Sequence, residues 1–409
     1  MFGKKIGLLL LALLFFVVCC KKSAKIQTDQ EIDFSPEISS IITQTYQKQT
    51  PQISKKFYTF GKVKLLPVKY IELPNWHGDY NFLLAKKAFM QLCKFANSSK
   101  NKGKNIEFKN ASIRLATAEE YLFLCSQLVK KRSNEDIKYF FEKNFTPFKI
   151  YSRDSGLDSG TFTGYYRIEL DGSLKKTRQY KYPVYKRPPE LKNGEKYHTR
   201  EQIAGGALKG RKLELVWLKD IVDAYLLHIQ GTGIARLTNG EKMFLSFDVK
   251  NGQEYSSAAQ YAKDKGIMKN LGGLTFYDWI RQNPREGQKF LNANKSFVFF
   301  KKSEDSTVLG SSGIGLVPGA SMAVDSSFVP YSAALWLATE PTPYSAQGVN
   351  AFFIAADTGA DIKGVIRGDI YFGNGEEASY NAHHTKVSGG YYILLPNGSI
   401  AIKQMLKYQ

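Results

Sequence analysis

Cysteine and histidine are scarce in this chain, which has four Cys and five His among 409 residues. No CxxC pair and no Cys/His finger spacing occurs, and this excludes the common zinc-finger and dithiol redox classes. The adjacent pair His383-His384 has no third ligand pattern beside it, so it does not indicate a metal site. Residues 310–315 are rich in glycine but lack the Lys-Ser/Thr pair of a phosphate loop. We therefore expect no metal and no other cofactor.

Acidic residues are also in deficit, because 37 Asp and Glu stand against 57 Lys and Arg. The net charge of +20 and the pI near 9.5 favour an anionic partner: a nucleic acid, a membrane surface or an acidic polymer. The basic residues are spread along the chain, and no nucleic-acid-binding motif accompanies them. We expect no nucleic-acid partner.

The chain has no apolar run of the about 20 residues that a membrane-spanning helix needs. Its apolar run at residues 7–18 follows two lysines, which is typical of a secretory signal segment over residues 1–20. Cys19 and Cys20 close this segment where bacterial lipoproteins carry their lipidated cysteine. Val18 is not the usual small residue before that cysteine. Lipidation is the favoured hypothesis, and a cleaved soluble protein and an uncleaved anchor remain open.

Residues 21–60 are predicted to form a flexible tether, since most of this stretch is polar and poor in aromatic residues. Cys93 and Cys125 follow in apolar, helical patterns, and they are either joined by a disulfide or two buried free thiols. Apolar residues at helical spacing predict three helices, at residues 80–96, 118–128 and 134–145.

Beyond residue 148 the pattern becomes rich in β-strands. A short helix around residues 218–226, leading into a strand, is also expected. Asn-Gly pairs predict hairpin turns at 239–240, 251–252 and 397–398. The remaining elements are strands at 161–169 and 182–186, helices at 256–265 and 274–283, and mainly strands from 296 to 404.

Residues 356–375 are the most informative stretch, because they set three carboxylates (Asp357, Asp361 and Asp369) among five glycines. Glycine lets a backbone bend sharply or approach a ligand closely. A carboxyl group on such a frame can be buried, and burial favours its protonated form. This pattern points to acid–base chemistry.

The same stretch resembles the 3D domain of the MltA-type lytic murein transglycosylases, whose three aspartates are matched here by Asp325, Asp357 and Asp369. Four more blocks occur in the order of that family and extend the resemblance over residues 65–409. These blocks are FTGYY at 162–166, YPVYKRPP at 182–189, HIQGTG at 228–233 and SFVFF at 296–300.

The resemblance implies a mainly β fold with N-terminal helices. A double-psi β-barrel catalytic domain would comprise residues 65–168 and 290–409, with the 3D motif at 310–409. An inserted β-domain at 172–288 would form the other wall of a groove for the glycan strand.

The resemblance also implies the chemistry. A lytic transglycosylase needs a single acid, because the C6 hydroxyl of the substrate's N-acetylmuramic acid is the nucleophile. Asp369 would be that acid and Asp357 its catalytic neighbour, while Asp361 is expected only to cap a turn. The other implied substrate-binding residues are Thr163, Gln230, Thr232, Tyr165, Tyr166 and Asp325. Lys363 and Arg367 are either substrate carboxylate contacts or solvated charges.

The implied partners are peptidoglycan glycan strands, a membrane through the lipid anchor, and a cell-wall synthesis complex. The implied location is the periplasm of a Gram-negative bacterium, as an outer-membrane lipoprotein. Ala320 and Ser379 depart from the family blocks, and Asn294-Lys295-Ser296 lacks the usual proline, which puts the geometry of individual sugar subsites in question. The competing hypothesis is a peptidoglycan-binding lipoprotein without catalysis.

Overall fold

The computed structural model describes residues 51–98, 101, 105–108, 113–270, 275–303, 308–359 and 361–407. The predicted signal segment, Cys19, Cys20 and most of the tether lie outside these residues. The described chain is a mixed helix and sheet protein with a 14-stranded sheet and a separate two-stranded one. None of its helices is both long enough and apolar enough to span a membrane.

The strands are β1 (Tyr58–Phe60), β2 (Val63–Pro67), β3 (Asn105–Phe108), β4 (Ile113–Thr117), β5 (Phe145–Ser152), β6 (Gly160–Ser173), β7 (Tyr182–Tyr185), β8 (Glu214–Leu218), β9 (Thr232–Leu237), β10 (Lys242–Lys250), β11 (Val298–Ser303), β12 (Ser321–Val324), β13 (Ala334–Thr339), β14 (Asn350–Asp357), β15 (Arg367–Asn374) and β16 (Lys386–Pro396). The α-helices are α1 (Phe82–Asn97), α2 (Ala118–Leu128), α3 (Asn134–Asn144), α4 (Arg200–Ala204), α5 (Ile221–Gln230), α6 (Ala258–Asp264), α7 (Phe276–Gln282), α8 (Pro284–Asn292), α9 (Glu376–His383) and α10 (Ile400–Lys407).

The three N-terminal helices form where the apolar spacing predicts them, and local caps fix where they begin. Thr117 accepts a hydrogen bond from the Glu120 backbone N–H, and the Glu120 carboxylate accepts one from the Thr117 N–H. This capping box satisfies two otherwise unpaired donors. Cys93 on α1 and Cys125 on α2 are joined by a disulfide, with their Cα atoms 5.8 Å apart. Of the two alternatives for Cys93 and Cys125, the structure therefore shows the disulfide.

Six strands pair in a closed circuit, in the order β16, β13, β14, β12, β15, β6 and back to β16. Two of these contacts are parallel, β12 with β14 and β15 with β6. The apolar side chains of the circuit form one core, which includes Phe162, Met322, Leu335 and Ile393. The circuit therefore brings the ends of β6, β14 and β15 close together although they are far apart in sequence.

The long strand β6 continues beyond this circuit into a second set of strands. Its residues 168–172 pair in parallel with β9, and β9 pairs with β10, which pairs with β11. Its last residues pair with β8, which pairs with β7, and an isolated bridge joins Lys186 to Phe300 of β11. Helices α5 to α8 pack over a separate apolar cluster beside these strands. One strand thus connects both halves of the fold.

Two of the three predicted Asn-Gly hairpins are wrong. Asn251 is fully buried, and its side chain bonds the carbonyls of His198 and Lys295, so it joins separate segments. After Asn397 the chain enters α10, where Ser399 accepts a hydrogen bond from the Ile402 N–H. The turn at residues 239–240 does connect antiparallel β9 and β10, as predicted. In the two failures, contacts distant in sequence override a local turn preference.

The structure also contains helices where the sequence predicted none or mainly strands. These helices are α4, α8, α9 and α10. In α10 the buried residues are Ala401, Ile402 and Met405, one face of a short helix. A short apolar run of this kind does not distinguish strand from helix.

Candidate active site

The proposed acid lies in a row of side chains that crosses four neighbouring strands. Thr163 on β6 is paired with Asp369 on β15, Asp369 with Ala323 on β12, and Ala323 with Asp357 on β14. Strands are spaced about 4.8 Å apart, so the Cα atoms of the two aspartates lie about 10 Å apart. The residue between them on β12 is the small, buried Ala323.

Gly368, the neighbour of Asp369 on β15, has no room for a side chain unless Met322 and Phe162 shift. A Cβ atom on Gly368 would lie 2.2 Å from the Met322 sulfur and 2.8 Å from the Phe162 ring. Because alternate residues of a strand face opposite sides, this packing toward the core leaves Asp369 on the other face. The side chains of Met322 and Phe162 therefore fill the core side of β15 at Gly368, and Asp369 lies on the opposite side.

Asp369 has a neutral hydrogen-bonding partner and an unusual electrostatic environment. The Thr163 hydroxyl donates to Asp369 Oδ1 at 2.6 Å, and Arg367 Nη2 donates to Thr163 Oγ1 at 2.8 Å. Burial raises the pKa of Asp369 to about 6, against the lowering effects of the Thr163 hydrogen bond and the Arg367 charge. The negative charge of Asp357 raises this pKa further. A carboxyl group with a pKa near 6 can both give and take a proton near neutral pH.

Asp357 is held by several donors from different parts of the chain. The Tyr165 hydroxyl donates to Oδ2 at 3.0 Å. The Ser311 N–H and hydroxyl donate to Oδ1 at 2.8 and 2.6 Å, and the Thr358 N–H does so at 2.8 Å. Burial and the nearby Asp357 raise the pKa of Tyr165 well above its usual value, so its phenol keeps the proton that it donates. Asp357 is therefore firmly oriented beside Asp369.

The glycine-rich residues 310–315 have a role that the sequence did not reveal. Ser311 in this segment donates hydrogen bonds to the Asp357 carboxylate, so the segment holds a side chain of the protein and not a phosphate group. Ser311 and Asp357 are separated by 46 residues. The only hint in the sequence is a serine among glycines, where backbone N–H groups are accessible.

Asp325 anchors the loop that leads to Asp369. Its carboxylate accepts hydrogen bonds from the Gly364 N–H at 2.9 Å and the Ser327 N–H at 3.0 Å. The side chain is almost fully buried. Asp325, the remaining aspartate of the 3D resemblance, therefore contacts the loop before β15.

The other predicted sugar-binding residues are less concentrated. Gln230 at the end of α5 accepts a hydrogen bond from the Tyr166 N–H at 3.3 Å. Thr232 is buried and donates its hydroxyl to the Leu245 carbonyl. Tyr166 is buried and packs beside His383. Thr163 and Tyr165 are thus the two of these residues that contact the aspartate pair.

The charged and histidine residues near the site are placed as follows. Asp361 and Lys363 are exposed, whereas Arg367 bonds Thr163 and the Thr161 carbonyl. His383 and His384 lie on and just after α9, with each Nδ1 atom facing a backbone carbonyl. Among the residues that the structure describes, no three His, Cys, Asp or Glu side chains form a metal-binding group.

The chain resembles several known proteins. Residues 161–301 match the MltA specific insert domain, and residues 320–395 match the 3D domain. The membrane-bound lytic murein transglycosylase A of Vibrio cholerae is 31% identical over 237 residues, which cover 56% of this chain and 63% of the relative. The sequence match therefore spans less than two thirds of that relative's length.

Solved structures are similar to this one over a larger part of the chain than the sequence match covers. A crystal structure of MltA from Neisseria gonorrhoeae has a TM-score of 0.71 at 26% identity and covers 86% of this chain and 97% of that one. The membrane-bound lytic murein transglycosylase of Agrobacterium tumefaciens also scores 0.71 at 26% identity, with 83% and 99% covered.

Two features define the class of this protein. A closed circuit of six strands carries Asp357 and Asp369, and a second set of strands continues from the end of β6. The two matched domains span more than half of the chain. The chain belongs to the MltA family, in which an MltA specific insert domain accompanies a 3D domain.

Proposed function

We propose that the protein is a lytic murein transglycosylase. It cleaves the β-1,4 bond between N-acetylmuramic acid and N-acetylglucosamine in peptidoglycan and leaves 1,6-anhydro ends. The observation that carries this proposal is Asp369: a partly buried carboxyl group with a pKa near 6, hydrogen-bonded to Thr163 inside a 3D domain. The name of the Vibrio cholerae relative supports the same activity.

The reaction needs one acid and no water. Protonated Asp369 gives its proton to the glycosidic oxygen, and the bond from this oxygen to C1 of muramic acid breaks. The C6 hydroxyl of the same sugar attacks C1, and its proton passes to the Asp369 carboxylate. The new C1–O6 bond forms the anhydro ring, and Asp369 is protonated again for the next cycle.

Asp357 acts in this proposal as a positioning residue and a source of negative charge. Four hydrogen bonds keep its carboxylate fixed. Such charge stabilises the positive charge that develops at C1 during glycoside cleavage. Thr163 and Tyr165 stand closest to the reacting groups, while Gln230, Thr232, Tyr166 and Asp325 shape the substrate site through the segments that they hold.

We further propose the domain arrangement that the sequence implied. The six-strand circuit corresponds to the double-psi barrel of residues 65–168 and 290–409, and residues 172–288 form the inserted β-domain. The closed pairing of β6 with β16 supports the first assignment. The glycan strand then binds in the groove between the two domains.

Digestion of murein sacculi should yield muropeptides with 1,6-anhydro ends, because the nucleophile is part of the substrate. Borohydride reduces ordinary reducing ends but not 1,6-anhydro ends, and mass spectrometry then distinguishes the two kinds of product. EDTA should leave the rate unchanged, since the steps above use only Asp369. Mainly reducing ends would instead indicate a hydrolase. Loss of activity in EDTA, restored by zinc, would indicate a metal site at His383-His384. No digestion at all would favour the non-catalytic binding protein.

We propose that the protein is a lipoprotein of the cell envelope, anchored in the outer membrane through Cys19 or Cys20 and acting with a cell-wall synthesis complex. A single acyl chain binds membranes only marginally, whereas two or more anchor a protein stably. Mass spectrometry of the mature protein from a Gram-negative host should therefore show an acylated N-terminal cysteine. Replacing both cysteines by Ser should move the protein to the soluble fraction. An unmodified N-terminus beyond Cys20 would overturn lipidation.

A further inference from the structure

A cavity of about 640 Å³ opens between β7, β8, α4, α5 and α8, within residues 176–297. Sites for small ligands usually enclose about 300–1,000 Å³. Neither Asp357 nor Asp369 lines this cavity. Its chemistry is therefore separate from that of the proposed acid.

The cavity is strongly basic. Four exposed cations surround its mouth, and Glu214 is the one acidic residue among those that line it. Lys176 lies over the Trp217 ring, with its Nζ atom 5.3 Å from the ring centre. Such a mouth attracts anions at low ionic strength. The exposed cations are Lys176, Arg178, Lys181 and Lys209.

A fifth cation, Arg200, lines the cavity from a buried position, with only 6% of its surface exposed. Its Nε atom donates to the Asn294 carbonyl at 3.1 Å and its Nη2 atom to the Ser296 carbonyl at 2.7 Å. A guanidinium has five N–H donors. No carboxylate oxygen of the described residues lies within 4 Å of Arg200, so its charge has no direct counter-ion there. Buried charges are normally paired, and a bound anion would complete this pair.

His228 lines the same cavity and carries a buried atom without a hydrogen-bond partner in the described part of the chain. It is 7% exposed, and its Nδ1 atom has no hydrogen-bond partner among the residues that the structure describes. Its ring packs edge-on against Phe297, with 4.2 Å between the ring centres. Unpaired buried polar atoms are uncommon in folded proteins. Burial and, after it, the nearby charge of Arg200 hold the pKa of His228 well below its usual value, so the ring that lines the cavity is neutral.

Three of the sequence blocks contribute residues to the lining of this cavity, and the proposed reaction uses none of these lining residues. Tyr182, Pro183 and Tyr185 come from the block at 182–189, His228 from 228–233, and Phe297 from 296–300. Aromatic walls around a buried guanidinium suit a ligand with apolar or planar parts beside its carboxylate.

We propose that this cavity binds the acidic peptide stem of murein, with a stem carboxylate on Arg200. The identity of the peptide rests on the proposed function, since the glycan of that substrate carries short peptides with free carboxylates. Arg200 matches a carboxylate as a planar fork, and the basic mouth draws the stem in. The protein then holds its substrate by the sugar at Asp369 and by the peptide at Arg200.

A synthetic murein stem tetrapeptide tests the proposal without any turnover. It is titrated into the full-length protein at low salt while the fluorescence of Trp217 is followed, with Trp217→Phe to assign the signal. We expect saturable binding that weakens at least about tenfold in Arg200→Gln, because a charge-assisted pair is lost. Arg178→Gln with Lys181→Gln at the exposed mouth should weaken binding severalfold without loss of the fold. Lys242→Gln, an exposed residue outside the cavity, is the matched control and should bind normally.

The remaining outcomes overturn the proposal. Unchanged binding in both the Arg200 and the Arg178/Lys181 variants would remove the peptide from this cavity. Equal binding of inorganic phosphate would indicate an unspecific anion site, and competition by chitohexaose, which has no carboxylate, would indicate a glycan site. Asp369→Asn should bind the tetrapeptide normally, so peptide binding and lytic activity fail or succeed independently.

Discussion

Asp369→Asn is expected to digest murein at least about 100-fold more slowly than the unmodified protein, since general acids contribute at least this factor. Asparagine keeps the size of the side chain and can still accept the Thr163 hydrogen bond of 2.6 Å. It cannot supply a proton to the leaving oxygen. Release of soluble muropeptides from purified sacculi measures the rate.

Asp361→Asn is the matched control for this substitution. Asp361 is exposed in the same loop region and takes no part in the row of Thr163, Asp369 and Asp357. Its rate should stay within about twofold, as for most surface substitutions. If Asp369→Asn kept more than half of the activity, the assignment of the acid would be wrong.

The stability of Asp369→Asn separates lost chemistry from lost folding. Because the pKa of Asp369 is raised from 3.8 to about 6, the folded protein binds more protons than the unfolded chain between these values. The free energy of unfolding therefore falls as the pH rises through this range, and the ionised Asp369 carboxylate destabilises the folded protein at pH 7. The shift corresponds to at most about 3 kcal/mol. The variant should melt at a higher temperature than the unmodified protein at pH 7, and at a similar temperature near pH 4.

The parts of the fold that the sequence predicts are those with local causes. Thr117 and Glu120 are three residues apart and form their capping box within one turn, so the start of α2 is readable. The apolar spacing of α1 and α3 is equally local. The resemblance gave roles to Thr163 and Asp369, but only the structure shows them on adjacent strands, because strand pairing has no local signal.

What the sequence misses depends on distant partners. Ser311 binds Asp357 across 46 residues, and Arg367 reaches Thr163 across 204. Neither contact follows from composition or spacing. Asn251 fails for the same reason, because its amide joins carbonyls 53 and 44 residues away. Leaving a buried polar atom unpaired costs about 1–3 kcal/mol, and this cost outweighs a local turn preference.

The two neighbours of Asp369 act on its proton in opposite directions, and this gives a second large effect. Asp357→Asn removes a negative charge that raises the pKa of Asp369, so the falling limb of the pH–rate profile should move to lower pH. Thr163→Val removes a hydrogen bond that lowers this pKa, so the limb should move to higher pH. Above pH 6 the fraction of protonated acid decreases about tenfold per unit, so both shifts change the rate there strongly.

Asp357→Asn should also lower the maximal rate about 10- to 100-fold, because its amide cannot accept from Tyr165, Ser311 and Thr358 together and the site loses its alignment. Profiles of kcat/KM from pH 4 to 8 measure both effects. Shifts of both variants in the same direction would mean that general loosening of the site, not electrostatics, governs the proton on Asp369. Opposite shifts would mean that Thr163 and Asp357 act directly on the Asp369 carboxyl group. They would also identify Asp369 as the group whose proton is transferred in the reaction, because only such a group changes the rate when its pKa changes.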